Sequence, residues 1–545
     1  MKFGPGMALQ AAALAFVIVL GAALRNEANA ENARVRTQCA IVRECLGQQQ
    51  DPRLRWSATR LAEGIRKGEF TSEEICALFI AQASKLNPYM NALAATRFQA
   101  ALEDARRADA RIRASPHDSK LPPFLGVPYF SKECIAHPDL PWTCGVVSRA
   151  HMTRAPFAAT AHVLLERNGL ILLGVGNVPE LCVHVDTFNN VYGATRNPYN
   201  LARSVGGSSG GTAGAVAALF APVGLASDMG GSGRIPACYT GIFGHKPSGG
   251  LVSLHGSIPT ERASLGFFCQ LGPFARHAED LLPLVAALCK DAHVEWNATV
   301  DVAQLRVVHV RQQPGTRSTL LRVFAQQPSA RALRAQDKVV DHLKRLGCAV
   351  VADARFHLLD EAFDVFTSSL THDLRDYPLR RELAQAGQGS HYAGSRLWSI
   401  VEWVKCCATL GMGTQFSWPA LSGAAMANLL DVMPGQARLR TRVREALRVQ
   451  LEEAMGPRGV LVVPGMPTAA PALGSVLFAL RTSEIGTYAV FNVLGFCATQ
   501  VPLGLDDDGM PFGVQIVSRH GNDHLCTAVA CELQRAGVAG WQQPA

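Results

Sequence analysis

Apolar residues along this chain fall into three patterns. The first is an unbroken run. Residues 3–24 hold no charged side chain, and MALQAAALAFVIVLGAAL at 7–24 would nearly cross a bilayer core as a helix rising about 1.5 Å per residue. Lys2 ahead of the run and the small-x-small triplet Ala28-Asn29-Ala30 behind it fit a cleaved signal peptide as well. Arg25, Arg34 and Arg36 follow the run, which favours an anchor with the bulk of the chain on the cytoplasmic side. The expectation is a single-pass membrane protein with a hydrophobic anchor over 1–30, a polar linker over 31–55 and one large domain over 56–545.

The second pattern has the helical period. Residues 57–95 read as two helices, with Thr71 and Glu74 forming a capping box ahead of Ile75, Leu78 and Phe79. Asn87-Pro88 is expected to end that helix, and ALEDARRADARIRA at 101–114 to form another. The third pattern is the short buried run: FLGVPYFSKE (124–133), LILLGVG (170–176), QLRVVHV (304–310), CAVVADA (348–354), GVLVVPG (459–465) and FGVQIVS (512–518). Between the later runs lie helices at 331–347 and 438–455, and GTAGAVAALFAPVG at 211–224 reads as a small-residue helix packed close to its neighbours. Strands separated by helices predict an α/β fold, a large mixed, mostly parallel β-sheet covered by helices on both faces. No internal repeat, low-complexity tract or long linker divides it. The apolar stretch 395–421, with Trp398, Trp403 and Trp418, reads either as a buried helix pair or as an insert touching a membrane interface.

Composition narrows the picture. The 545 residues are 48% hydrophobic and 18% charged, enough to bury a sizeable core. The net charge of +8 is modest for this length, and no basic block interleaved with aromatics marks a nucleic-acid partner. Fifteen scattered cysteines without a C-x-x-C pair argue against a zinc site and for buried free thiols in a reducing compartment. The sequon Asn297-Ala298-Thr299 weakly opposes that compartment.

The densest chemistry lies at 205–237, VGGSSGGTAGAVAALFAPVGLASDMGGSGRIPA, where two serine-in-glycine clusters flank a helix. GGSSGG satisfies G-x-S-x-G at both Ser208 and Ser209, but a nucleophile elbow needs a hydrophobic strand before it, and TRNPYNLARS is a loop. A phosphate-binding loop needs a lysine where Gly211-Thr212-Ala213 has none, and Gly174-Val175-Gly176 lacks the third glycine of a dinucleotide fingerprint. A flexible linker is excluded by the structured runs on either side. The sixteen histidines offer no partner pattern for a Ser-His-Asp triad.

GGSSGG at 206–211, DMGGSGRIPA at 228–237 and GVPYFSKE at 126–133 together resemble the amidase signature family. The likeness runs from about residue 57 to 540 and includes GIFGHKPS (241–248), FNVLGFCATQVPLGL (491–505) and GMPFGVQIV (509–517). Within the family it is nearest the membrane-anchored hydrolases of fatty acid amides, which share the N-terminal anchor, the tryptophan-bearing insert and the HGNDHL tail at 520–525. The resemblance implies a Ser-Ser-Lys triad: Ser232 as nucleophile, Ser208 as bridging relay on a cis peptide, and Lys132 as base. It implies an oxyanion hole made of the backbone N–H groups of Met229, Gly230, Gly231 and Ser232. The chemistry is coherent without the analogy. A serine hydroxyl needs a base within hydrogen-bond reach, a lysine serves only when neutral, and burial favours the neutral form.

Asp228 and Arg234 are expected to pair and fix the loop, and Ser209 to support the site rather than relay protons. Lys246 and His245 in GHKPS are expected to be structural. One departure stands out: the family usually has Ile or Leu after the nucleophile, where this chain has Gly233. That puts rate or substrate fit in doubt, not the mechanism. No metal or organic cofactor is implied, since the chain supplies base, nucleophile and oxyanion donors. The expected substrate is a lipid amide, a primary amide or N-acyl ethanolamine. The alternatives are short or peptide amides, glutamine hydrolysis as part of an amidotransferase, and an inactive lipid-binding scaffold, which the intact Lys132, Ser208 and Ser232 disfavour.

Overall fold

The structure, a computed structural model, describes residues 33–47, 51–115, 120–258, 263–289, 299–312, 315–316, 322, 325–373, 438–474 and 482–544. The six expected strand runs all form strands, and five further segments join them in one sheet. In chain order these are β1 (Leu93–Thr96), β2 (Pro128–Lys132), β3 (Ile171–Gly176), β4 (Val223–Asp228), β5 (Phe243–Lys246), β6 (Gln270–Ala275), β7 (Arg306–His309), β8 (Ala349–Val351), β9 (Gly459–Pro464), β10 (Cys497–Leu505) and β11 (Pro511–Ser518). Across the sheet the order is β1-β3-β2-β4-β6-β5-β10-β11-β9-β7-β8.

The sheet is mixed, but it is not mostly parallel. Only the pairs β2–β3, β2–β4, β7–β9 and β7–β8 are parallel; β1–β3, β4–β6, β5–β6, β5–β10, β10–β11 and β9–β11 are antiparallel. The expectation failed at the centre, where β5, β6 and β10 had not been read as strands and account for most of the antiparallel pairs. A tight turn at 506–510 joins β10 to β11, with Gly509 N–H donating to Asp506 O and Asp506 N–H to Met510 O. A short turn can only return a strand antiparallel.

Local expectations about helices were met in kind and shifted in extent. The capping box forms, with Thr71 Oγ1 accepting from Glu74 N–H and Glu74 Oε2 from Thr71 N–H, each at 3.1 Å. Helix Ser72–Met90 does not stop at Asn87-Pro88 but runs on until Asn91 turns left-handed (φ +51°). Asn87 instead accepts from the N–H groups of Ala92 and Leu93 with its side chain, at 2.8 and 3.0 Å. The proposed linker contains a helix at 33–47, whose Val35, Cys39, Val42 and Leu46 lie in the core. Intervening Arg36, Arg43 and Glu44 had masked that 3.6-residue spacing. The small-residue helix is shorter than read, Gly210–Ala217, and wholly buried. It lies so close to β3 that a Cβ at Gly211 would fall 2.1 Å from the backbone nitrogen of Asn177.

The expected single-pass membrane arrangement is corrected. Among the described residues no helix is long and apolar enough to cross a membrane; even the 19-residue helix Ser72–Met90 carries Glu73, Glu74 and Lys85. The apolar run at 7–24 and the tryptophan-bearing stretch 395–421 both lie outside the described residues. Every described cysteine is a free thiol.

Candidate active site

Strands β2 and β4 run parallel, with Tyr129 opposite Val223 and Ser131 opposite Leu225. Their carboxyl ends therefore place Lys132 beside Ser227 and Asp228, on the edge where open α/β sheets build their sites. Lys132 is fully buried. Its Nζ donates to Ser208 Oγ at 2.7 Å and to Ser227 Oγ at 2.7 Å. Ser208 reaches this position from the loop ahead of helix Gly210–Ala217, and the Gly207–Ser208 peptide is cis. A Cβ at Gly207 would lie 2.7 Å from the carbonyl oxygen of His184, so the loop can pass there only as glycine.

The second serine cluster meets the first through the backbone. Ser209 N–H donates to Ser232 O at 3.1 Å. The Ser209 hydroxyl is engaged with β4, donating to Ser227 O at 3.0 Å and accepting from Ser227 N–H at 3.3 Å. Ser208 and Ser209 are buried, whereas Ser232 is half-buried.

Asp228 and Arg234 form a buried lattice beneath Ser232. Arg234 Nε donates to Asp228 Oδ2 at 2.8 Å. Its other nitrogens reach Gln515 Oε1 at 2.8 Å, Asn492 Oδ1 at 2.6 Å and Tyr488 O at 3.1 Å. Burial opposes the charge of Asp228, but Arg234 overcomes it and holds the carboxyl well below the usual carboxylate range. One expected oxyanion donor is lost to this lattice: Gly231 N–H points at Asp228 Oδ1, 2.7 Å away, because the carboxylate sits within the same tight turn. Met229 and Gly230 lie half-exposed beside it, Met229 against the cluster of Phe268 and Phe366.

Burial was expected to drive the Lys132 ammonium toward the neutral amine. The opposite holds. Burial does act downward, but the sulfur of Cys182, followed by those of Cys134, Cys144 and Cys269, acts upward and prevails, raising Lys132 above the ordinary lysine value. Cys182 moves the other way, well below an ordinary thiol, through hydrogen bonds from Cys134 and Cys144 that outweigh burial, helped by the charge of Lys132 and the hydroxyl of Ser208.

Several residues here escaped the sequence reading. Ser227, the second partner of Lys132, adjoins the DMGGSGR motif, and reading LASD as a strand end would have exposed it. Glu133 follows Lys132 and is buried, with no cation paired to it among the described residues. It accepts from Thr143 N–H (2.6 Å), Thr143 Oγ1 (2.8 Å), Cys144 N–H (2.7 Å) and Tyr192 OH (3.1 Å). Burial pushes its carboxyl up to about 7 against those four donors. Nothing in the spacing of Cys134, Cys144 and Cys182 signals that they converge.

A family model described as Amidase matches residues 74–527. The chain is 32% identical over 502 residues to fatty-acid amide hydrolase 2-A of Danio rerio, covering 91% of each chain. It is 30% identical over 484 residues to a component of the glutamyl-tRNA(Gln) amidotransferase of Mycobacteroides abscessus, covering 85% of this chain and 94% of that one. Among solved structures it resembles 6-aminohexanoate cyclic dimer hydrolase complexed with substrate, with a TM-score of 0.68 and 26% identity over 89% of this chain and 97% of that one.

Proposed function

Since the chain belongs to the amidase signature family, we propose that it is a serine hydrolase that cleaves fatty acid amides to fatty acid plus ammonia or amine through an acyl-enzyme. Ser232 attacks the amide carbonyl. Ser208 takes the proton from Ser232 and passes its own to Lys132, then returns a proton to the departing nitrogen, without which an amine leaves poorly. The N–H groups of Met229, Gly230 and Ser232 face the developing oxyanion, a contribution of about 10²–10³ in rate per donor where measured elsewhere. Lys132 rests as an ammonium, so the reactive form is the amine that appears as pH rises.

The observation that carries this reading is the 2.7 Å Lys132 Nζ–Ser208 Oγ bond, next in the chain to Ser209, whose N–H donates to Ser232 O. The fatty-acid amide hydrolase relative supports the substrate class. The test is hydrolysis of oleamide, a short-chain amide and glutamine side by side in detergent, with Ser232→Ala and Lys132→Ala as controls. Preference for oleamide, lost in both variants, is the expected result. Preference for the short amide or for glutamine overturns the substrate class and leaves the triad standing. Activity retained by Ser232→Ala overturns the triad.

A further inference from the structure

Three thiols crowd the Lys132 end of the site, and the proposed hydrolysis uses none of them. Cys134 follows Lys132 by two residues, and its Sγ lies 3.9 Å from the Ser227 hydroxyl that Lys132 holds. Cys144 sits in the turn pinned by Glu133, and Cys182 closes the short helical turn Glu180–Cys182. Cys144 Sγ and Cys182 Sγ are 3.7 Å apart. The backbone holds them there: Leu181 N–H donates to Cys144 O at 2.9 Å. Cys144, Leu181 and Cys182 all adopt left-handed φ, +54°, +51° and +60°, a conformation non-glycine residues keep only where surrounding contacts impose it. Such sites cluster where function needs a fixed geometry.

We propose that Cys144 and Cys182 are an oxidisable dithiol whose disulfide switches off the Lys132–Ser208–Ser232 site, with hydrogen peroxide as the class of oxidant. The inference rests on the proposed hydrolase reading only for its effect on activity. The Cys182 thiolate attacks one peroxide oxygen, becomes a sulfenic acid and releases hydroxide. The Cys144 thiol then attacks the Cys182 sulfur, the S–S bond forms, and the sulfenic oxygen leaves as water. Counting the proton that Cys182 loses on ionising, which neutralises the hydroxide, two thiols give up two electrons and two protons and one peroxide becomes two waters. Cys182 is the entry point, since it is 9% exposed whereas Cys144 is fully buried.

Two consequences reach the catalytic residues. Bond formation draws the sulfurs together from 3.7 Å to about 2.05 Å. That pulls on the segment whose His184 carbonyl cradles Gly207, the residue before Ser208. It also converts the Cys182 sulfur, which acts upward on Lys132, into half of a neutral disulfide.

The test treats reduced, full-length protein with hydrogen peroxide, and two readouts follow it. Peptide mass spectrometry after alkylation of free thiols reports whether Cys144 and Cys182 are linked. Labelling of Ser232 by a fluorophosphonate reports the site without reference to a substrate. The expected result is a Cys144–Cys182 linked peptide, labelling slowed at least 10-fold in step with it, and both reversed by dithiothreitol. Cys144→Ser, compared before and after peroxide, should lose the reversible response. Absence of the linked peptide where Cys289 or Cys531, the least buried of the described thiols, is already oxidised overturns the proposal, as does a linked peptide with undiminished labelling. Should Cys144→Ser fold poorly, the wild-type linkage and its reversal decide alone. A reduced wild type that never labels at Ser232 overturns the hydrolase reading instead, and the linked peptide still reports on the dithiol.

Discussion

Lys132 and Lys246 are both fully buried, yet they differ in almost every other respect. Lys132 donates to two hydroxyls and faces sulfur. Among the described residues Lys246 donates to Pro247 O, at 2.8 Å, and lies near Arg234. Burial and that guanidinium push it down to about 8, while Lys132 is pushed up. Desolvation opposes the charge of both alike; the neighbours decide the sign. A buried lysine is therefore a candidate base because of what it touches, here the hydroxyls of Ser208 and Ser227, and not because burial alone neutralises it.

The comparison breaks most sharply through activity. Lys132→Ala is expected to lower kcat/KM by about 10²–10⁴, the usual range for a lost general base, while Lys246→Met changes it by less than a few-fold. Steady-state kinetics of both variants on one amide measures this. Equal losses would mean that the two lysines do not differ in role. Next in size is the lattice between them. Arg234→Ala leaves Asp228 charged, buried and without its cation, which costs about 3–5 kcal/mol of stability, read by urea denaturation.

The pH dependence of the two lysines has different signs in different measurements. Lys132 is raised, so its ammonium persists at neutral pH and the amine fraction grows with pH. The logarithm of kcat/KM should climb by about one per pH unit from neutral into the alkaline range, and Lys132→Ala should flatten the slope. Lys246 acts on stability instead. Its folded value near 8 lies below the unfolded 10.5, so between them the unfolded chain binds more protons and stability rises with pH. The difference in unfolding free energy between wild type and Lys246→Met isolates this contribution from that of the cysteines and tyrosines. It should shift in favour of wild type between pH 8 and 10.5.

How much of this was legible depended on how local each signal was. The Thr71–Glu74 cap and the strand ending at Lys132 are written in neighbouring residues. So is the Asp228–Arg234 pair, whose members are six positions apart. The sheet was harder. β5 and β10 read as parts of longer motifs, FGHK within GIFGHKPS and CATQVPL after a helix, and their antiparallel pairing depends on partners far along the chain. The His245 Nε2–Asp523 Oδ1 bond at 3.0 Å is of that kind: it ties GHKPS to the HGNDHL tail, two motifs visible separately whose contact is not. The thiol cluster was least legible, because cysteines at 134, 144 and 182 have no shared period and meet only through the turns that Glu133 and Leu181 hold.

The smallest expected effect tests how independent the two lysine environments are. Gly233 has φ −90° and ψ −54°, a conformation open to any residue, so Gly233→Ala brings no backbone strain. Its Cβ would lie 3.3 Å from Asp228 Cβ and 3.4 Å from Asp228 Oδ2, tighter than ordinary contact. Asp228 cannot easily give way, because Arg234, Asn492 and Gly231 all hydrogen-bond its carboxylate. The overpacking should cost about 1 kcal/mol, the low end for an extra methyl in a full site. It falls on the Asp228 lattice that faces Lys246, and the Lys132–Ser208 bond touches none of the displaced atoms. Urea denaturation should therefore register the change while kcat/KM stays within about two-fold of wild type. A larger fall in kcat/KM, with little loss of stability, would mean that the Asp228 lattice positions Ser232 for reaction as well as holding the loop.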